Sequence, residues 1–436
     1  YLEARVGAGT YVTPTPLREH APSDTPSQAP PERARKLLQI AAQLEAVGDS
    51  RGPLRIGAPA LDAFPQRIWE RLARRHARTI RAALDYDQSA GMPALRQAIS
   101  RHIAQFRGVV ADPDQVIIVE GTQGGLALAA LVLSTPGDAV AIEDPCYQLA
   151  RTVFRAYGLV LHGVGADNNG IRTSDLPRSA ALAYVSPSHQ FPLGGALPLE
   201  RRVELLEWAR RHDVYIIEDD YDSEFCARPL PALQSLDRAE RVVYVGTFSK
   251  TLAPGLRLGY VVAPRHLAQA FRFARAAVSL GTCSFVQAIM TDFIAEGHFS
   301  RHVRRMTALY DRRRRTFVET LARELGPAFR IEAAQTGLHV AIVAPAAFDD
   351  VRAVASLPAQ HRVLPLSELC VERTDLRGVV AGFSSGSAEA VAQAARDLAA
   401  ALRSQAEAPE SVTISANHGT RSKRRVHRGP GQPSSR

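Results

Sequence analysis

Lysine is scarce in this chain. Of its 53 Lys+Arg residues only three are lysines: Lys36, Lys250 and Lys423. Between about residue 51 and residue 405, Lys250 stands alone. Arginine stays protonated and cannot replace lysine as a nucleophile. Any amine chemistry in the body of the protein therefore falls to Lys250. It sits in GTFSKTLAPGLRLGY (Gly246 to Tyr260), just after an apolar, strand-like run. A lysine held among small residues can form a Schiff base with an aldehyde when burial and a neighbouring cation keep it neutral part of the time. Thr247, Ser249 and Arg257 add two hydroxyls and a guanidinium, a set able to hold a phosphate. The plain alternative is an ordinary exposed lysine in a loop.

Two further segments carry chemistry. VYIIEDDYDSEF (Val214 to Phe225) puts Glu218, Asp219 and Asp220 at the end of an apolar strand. Ligand sites of open α/β sheets lie beyond the carboxyl ends of the strands. An aspartate there could pair with a protonated ring nitrogen; a Mg²⁺ site or a solvated acidic turn is the alternative. IIVEGTQGGLALAALVL reads as strand, glycine turn and apolar helix. Gly121, Thr122 and Gln123 would then stand at a helix N-terminus, where free N–H groups and the dipole favour phosphate. No Walker loop or GxGxxG pattern is present in the segment, and a simple tight turn would read the same way.

The elements that must position these residues alternate along the chain. Helical patterns cover 33–47, 66–83, 93–107, 124–134, 198–212, 264–278 and 297–325. Strand-like runs are Val116–Val119, Ala139–Ile142, Leu159–Gly163, Leu182–Val185, Val214–Ile217, Val242–Val245 and Leu258–Val262. Such alternation predicts an α/β fold with a mostly parallel sheet covered by helices. After residue 300, a long Arg-rich helix and the strands GLHVAIV and VVAGFSS predict a smaller α+β domain. Residues 1–12 read as a short hairpin and 13–50 as a Pro-rich linker containing the 33–47 helix. Residues 406–436 read as a disordered basic tail.

Composition narrows the class. The chain is 46% hydrophobic and 22% charged, as a large globular core requires. The longest apolar run, Leu126 to Leu133, is too short for a membrane span. No signal-peptide pattern opens the chain, which begins with Tyr1. Cys146, Cys226, Cys283 and Cys370 are scattered, the pattern of reduced thiols in a cytoplasmic protein. The net charge is +9, but six basic residues and no acidic ones lie after Ser411, leaving a body near +3. The tail could touch nucleic acid electrostatically or simply be solvated.

Five segments in order carry a resemblance: LDYDQSAGMPALRQAI, IEDPCYQLA, YVSPSHQFPLGG, IIEDDYDSEF and GTFSKTLAPGLRLGY. Together they resemble the fold-type I aminotransferase domain that uses pyridoxal 5'-phosphate (PLP). More narrowly, they resemble the MocR-type branch of the GntR-like transcription regulators, in which a winged helix-turn-helix domain is linked to such a domain. The match spans about residues 51–405. It implies a large domain (about 100–290) with a mostly parallel seven-stranded sheet and a small domain (300–405). The opening YLEARVGAGTYV is similar to the last wing of the DNA-binding domain, whose reading helices this chain lacks.

The resemblance also implies roles. Lys250 matches the Schiff-base lysine and Asp219 the partner of the pyridine nitrogen. Tyr221 matches the residue on the ring hydroxyl, and Tyr147 the aromatic that stacks on the ring. Gly121, Thr122 and Gln123 match the phosphate turn, completed by Thr247 and Arg257. His189 or Gln190 stands near the ring oxygen. Tyr86 matches a tyrosine reaching the partner subunit's phosphate, which implies a homodimer. No metal is implied. Two departures stand out: Glu120 replaces a hydroxyl residue beside the phosphate turn, and Val380 stands where an arginine would bind a substrate carboxylate, with Arg377 three residues before it. Two functions follow: a regulator's effector domain that senses an amino compound through an external aldimine at Lys250, or a stand-alone class I/II aminotransferase.

Overall fold

A computed structural model describes residues 2–7, 9–12, 30–42, 52–85, 90–226, 230–332, 337–358 and 360–407. A hairpin opens it, β1 (Leu2–Arg5) with β2 (Gly9–Val12), followed by helix α1 (Glu32–Ala42). Then come α2 (Gln66–Ala77), α3 (Pro93–Arg107), β3 (Val116–Val119), α4 (Thr122–Leu133), β4 (Ala139–Asp144) and α5 (Gln148–Ala156). The chain continues through β5 (Val160–Asp167), β6 (Gly170–Ile171), β7 (Leu182–Val185), α6 (Leu199–His212), β8 (Tyr215–Asp220), α7 (Leu233–Leu236) and β9 (Val242–Thr247). Next are β10 (Gly259–Val262), α8 (Ala268–Val278), α9 (Ser284–Ala295) and the long α10 (His298–Glu324). The last group is β11 (Arg330–Glu332), β12 (His339–Ala344), α11 (Asp350–Ala355), β13 (Leu364–Pro365), β14 (Arg377–Gly382) and α12 (Ala388–Glu407).

The large sheet runs β3-β10-β9-β8-β7-β4-β5-β6. Neighbours from β9 to β5 pair in parallel, and β10 runs against both β9 and β3. Parallel strands covered on both faces must be apolar throughout, and β3, β7, β9 and β10 are buried at every position. The sheet has eight strands rather than the expected seven. The extra one, β6, is two residues long and pairs antiparallel with the end of β5. Two residues are too few to leave a periodic signal.

The helical expectations hold best where an apolar face is clean. The 93–107 helix is found as expected, and the 297–325 helix within a residue at each end. The expected 66–83 helix stops at Ala77 and resumes as a 3-10 turn, Ile80–Ala83. Its last turn is tied to α9 instead, through Arg75 and His76 on Asp292. The 33–47 helix is described only to Ala42; residues 13–29, 43–51 and 408–436 lie outside the described residues, and with them most of the linker and the tail. Helices α5 and α9 fall outside the expected set. Among the described residues no helix is long and apolar enough to cross a membrane.

A smaller antiparallel sheet, β11-β12-β14-β13, packs against α10 and α12 around Phe317, Leu321, Ile342, Val379 and Leu398. One contact ties it to the large sheet. Asp144, the last residue of β4 and only 1% exposed, accepts N–H bonds from Val371 (2.8 Å), Glu372 (2.7 Å) and Arg373 (2.8 Å). Arg151 of α5 donates to the carbonyls of Cys370 (2.7 Å) and Glu368 (2.6 Å). The segment between β13 and β14 is thus latched to the large sheet by charge-assisted bonds. Asp144→Ala leaves three N–H groups without an acceptor, and at 1–3 kcal/mol each, less rehydration, the expected loss is about 3 kcal/mol. A lower thermal midpoint than the wild type checks it, with a change at an exposed carboxylate such as Glu319→Ala as control.

Candidate cofactor site

The carboxyl ends of β8 and β9, the turn after β3 and the loop before α2 meet around one cavity of about 350 Å³, the size of a small-molecule site. Lys250 lies in its wall, just after β9. Its Nζ donates to the Gly57 carbonyl at 3.0 Å. Burial lowers its affinity for a proton and Arg55 adds to this, while the carboxylates of Asp222 and Asp219 oppose it. Gly57 must be small: at φ +64°, a Cβ there would sit 2.5 Å from Nζ. The loose exposed lysine of the plain alternative is not what the fold produces.

β8 deals its three acids to different partners. Glu218 accepts from the N–H groups of Leu233 and Gln234, both at 2.8 Å. Asp220 takes Arg107 Nε and Tyr244 Oη, each at 2.7 Å. Asp219 alone lines the cavity, with Tyr184 Oη on Oδ2 at 2.7 Å and nothing on the buried Oδ1. The three carboxylates diverge, which removes the Mg²⁺ reading of this segment. Burial pushes the Asp219 carboxyl up to about 7.

The phosphate turn gathers as expected. Gly121 precedes α4 with φ +78°, a left-handed position that favours glycine. A Cβ built there would lie 3.5 Å from Ser249 Oγ, 3.6 Å from Arg257 Nη1 and 3.7 Å from Thr247 Oγ1. Two hydroxyls, a guanidinium and the N-terminus of α4 therefore face one small volume. Thr122 and Gln123 line the cavity beside it. Glu120 does not oppose an anion there: its carboxylate turns to Arg275 Nη2 at 2.8 Å, and its carbonyl accepts from Arg257 Nη2 at 2.6 Å.

The aromatic residues sort into a front and a back row. Tyr147 and Tyr221 line the cavity, and Tyr147 meets Phe191 edge-on at 5.8 Å. Tyr221 Oη donates to the His189 carbonyl at 2.8 Å. His189 lies behind it, with Nδ1 2.9 Å from Asp222 Oδ2 and 3.1 Å from Tyr221 Oη. It is not among the cavity-lining side chains, so its contact with a ligand there runs through Tyr221. Gln190 donates to the carbonyls of Pro145 and Phe191 and is fully buried, a structural role. Tyr86 lies outside the described residues. Val380 is buried among Phe191, Leu366 and Leu369. Arg377, at the far end of β14, donates to the Leu376 carbonyl and does not line the cavity. Gly57, Tyr184, His339, Arg55 and Arg362 line the cavity without having been marked in the sequence.

The chain matches the aminotransferase class I and II family over residues 53–396. It is 36% identical over 394 residues to the "probable rhizopine catabolism regulatory protein MocR" of Rhizobium meliloti, covering 88% of this chain and 79% of that one. The chain belongs to the aminotransferase class I and II family, in its MocR-type branch. A second relative, an "uncharacterized HTH-type transcriptional regulator YhdI" of Bacillus subtilis (strain 168), is 35% identical over 302 residues, 68% of this chain and 64% of that one. The solved kynurenine aminotransferase of Pyrococcus horikoshii superposes with a TM-score of 0.77 at 23% identity, over 87% of this chain and 96% of that one. The fold is that of the fold-type I PLP enzymes.

Pyridoxal 5'-phosphate is the family's cofactor, and the residues present fit it. The bare Asp219 Oδ1 suits a protonated ring nitrogen, the cup around Gly121 suits a phosphate, and a half-buried lysine lines the same cavity. In the cofactor-free protein the raised Asp219 carboxyl has a consequence. The folded chain holds a proton there that the unfolded chain releases above about 4, so this group's contribution falls as pH rises from about 4 through about 7. Asp219→Asn lacks that loss. Its thermal midpoint relative to the cofactor-free wild type should climb across this range, as melts at pH 5, 6, 7 and 8 would show; a flat difference would refute the assignment.

Proposed function

We propose that this chain is the effector-binding part of a MocR-type transcription regulator, in which an amino compound is sensed at Lys250. The observation that carries the reading is the presence of a partly buried lysine and an orphaned aspartate oxygen in the wall of one cavity, in a chain whose relatives at 35–36% identity are regulators. When bound, pyridoxal phosphate supplies an aldehyde for amines and an electron-withdrawing ring. The chain's own residues do the rest. Asp219 Oδ1 holds the ring nitrogen's proton, and Tyr184 fixes that carboxylate. Tyr221, backed by His189 and Asp222, faces the ring hydroxyl. Tyr147 covers a ring face. Gly121, Thr122, Gln123, Thr247 and Arg257 hold the phosphate, with Ser249 beside them. Lys250, whose affinity for a proton burial lowers, would hold the aldehyde and release it to an incoming amine.

A ligand shifts a protein between states only by binding one better. The small sheet supplies Leu338, His339, Arg362 and Leu364 to the cavity wall, so a ligand there touches both sheets at once. In this reading residues 1–12 are the last wing of a DNA-binding domain, 13–50 the linker and 51–405 the PLP domain of a cytoplasmic homodimer. Tyr86 of each copy reaches the other's phosphate.

Purified protein mixed with PLP should gain a visible absorbance band that Lys250→Ala lacks. An amino compound should change that band and alter operator binding by a protein that includes the DNA-binding domain. Absence of the band in the wild type would sink the reading. The second reading is an aminotransferase, favoured by the complete set of PLP residues. Lys250 Nζ would then also carry the proton from the substrate Cα. Sustained turnover with an amino acid and a 2-oxo acid would move the assignment to that side.

A further inference from the structure

We propose that one face of the PLP-binding body, built from α2 and the start of α10, docks against the phosphate backbone of duplex DNA. This rests on the reading of the chain as part of a DNA-binding regulator and goes beyond it, since that reading gives the DNA contact to another domain. Helix α2 is anchored on one side: Leu72 is fully buried, and Trp69 meets Phe293 of α9 edge-on at 5.8 Å. Its other side is basic. Arg67, Arg71, Arg74 and the C-cap residue Arg78 recur at intervals of four, three and four residues, and all are exposed. At 3.6 residues per turn that spacing holds them within about 60° of arc. Arg75 is exposed beside them.

The start of α10 continues the same surface. His298 is held between two guanidinium groups: Arg71 Nη2 lies 2.9 Å from its Nε2, and Arg301 Nη2 lies 2.7 Å from its Nδ1. The arginine rows of the two helices therefore meet at one imidazole. One turn on, Arg304 and Arg305 are exposed, and Arg305 donates to the Ala63 carbonyl shortly before α2. Among the described residues, eight arginines thus share the face with four carboxylates. Glu70, Asp292 and Glu296 each stand against an arginine of the group, and Asp62 stands against Arg313. That balance exceeds the +3 of the whole body, so the charge of the body is concentrated here and the remainder is slightly negative.

Helix stability does not ask for this charge. Arginines in the last turn of a helix suit its dipole, but Arg67 is the second residue of α2 and Arg301 the fourth of α10, at the ends where a cation is disfavoured. Nor are the side chains turned inward: that of Arg74 is 81% exposed and that of Arg71 58%. Like charges gathered this closely repel one another, and a dense polyanion relieves them while releasing its own counterions. The dimensions fit as well. Arg67 to Arg78 spans about 16 Å of helix axis, a length over which a duplex presents about ten phosphates. On the regulator reading, duplex DNA is within reach of the assembly. Guanidiniums on a helix that lies flat against its own domain meet phosphates and not base edges, so the contact carries no sequence preference.

The test uses residues 1–436 loaded with PLP and a fluorescent duplex of random sequence, about 30 base pairs long, with anisotropy read between about 50 and 200 mM salt. The wild type should bind with an affinity that falls steeply as salt rises. Arg67→Gln, Arg71→Gln, Arg74→Gln and Arg78→Gln combined should weaken binding about tenfold or more at about 100 mM salt and lower the salt slope by about two. Arg67→Gln and Arg78→Gln alone should each cost about threefold, and they decide the matter where the combined variant loses the PLP band. Because the tail is basic too, each variant is also built on a chain in which Arg421, Lys423, Arg424, Arg425 and Arg428 are Gln, where the loss should persist. A wild type that does not bind, α2 variants that bind as the wild type does, or phosphatidylserine vesicles held by the same arginines more tightly than the duplex each overturn the proposal. Absence of the PLP band in the wild type would remove the regulator reading beneath it, whereas an intact band without DNA binding removes this inference alone.

Discussion

Asp219 stands at the carboxyl end of β8 with a tyrosine hydroxyl on one oxygen and a bare, buried second oxygen. Its neighbours in sequence turn elsewhere, Glu218 to two backbone N–H groups and Asp220 Oδ2 to Arg107 and Tyr244, although Asp220 Oδ1 is also buried without a partner. A buried polar atom without a partner costs about 1–3 kcal/mol, more when it is charged. Of the two partnerless carboxylate oxygens on β8, that of Asp219 belongs to the residue that lines the cavity. Around it the chain arranges a lysine, an anion cup and two aromatic walls. A protonated ring nitrogen would relieve the cost and gain the charge-assisted bond that a neutral donor lacks. The selectivity of the site for its cofactor therefore begins with what the chain leaves undone.

The strand ends make this arrangement possible. In a parallel sheet the loops after neighbouring strands rise on the same edge. β8 delivers Asp219 and Tyr221, β9 delivers Thr247 and Lys250, β4 delivers Tyr147, and β3, parallel in direction to β9 across β10, delivers Gly121. Each of these follows an apolar run directly, so strand and chemistry can be read together. This is why Lys250, Asp219, Tyr221, Tyr147 and the glycine turn were legible. Tyr184 could have been found by the same logic, since a tyrosine inside a buried strand needs a partner for its hydroxyl. Gly57 was not legible: it meets Lys250 across 193 residues, and nothing local marks it.

The helices α5 and α9, which escaped the sequence, each bury a polar side chain. α5 buries Arg151 along with Ala150 and Phe154, because the latch to Cys370 and Glu368 needs the guanidinium inside. At nine residues α5 is also short, and its apolar positions from Leu149 to Phe154 span less than the window in which a helical period registers. α9 buries Gln287, whose amide oxygen accepts the Met92 N–H at 2.8 Å, and again a polar residue sits where the pattern wants an apolar one. In both cases the buried polar residue is the one that ties the helix to a distant segment.

The two departures from the resemblance differ in kind. Glu120 adds a charge next to an anion cup, and the chain answers it on the spot. Arg275 pairs with the carboxylate, and the adjacent carbonyl is turned to hold Arg257 in place. The residue whose charge could have opposed an anion in the cup thus helps to position Arg257. Val380 removes a charge and receives no answer within its own strand. It packs as a core residue, and its neighbours Ala341, Leu364 and Leu366 are apolar as well. Leu364, directly across from Val380, and Leu369 carry that apolar surface to the cavity wall, so the face on which position 380 lies meets a ligand through packing and not through charge.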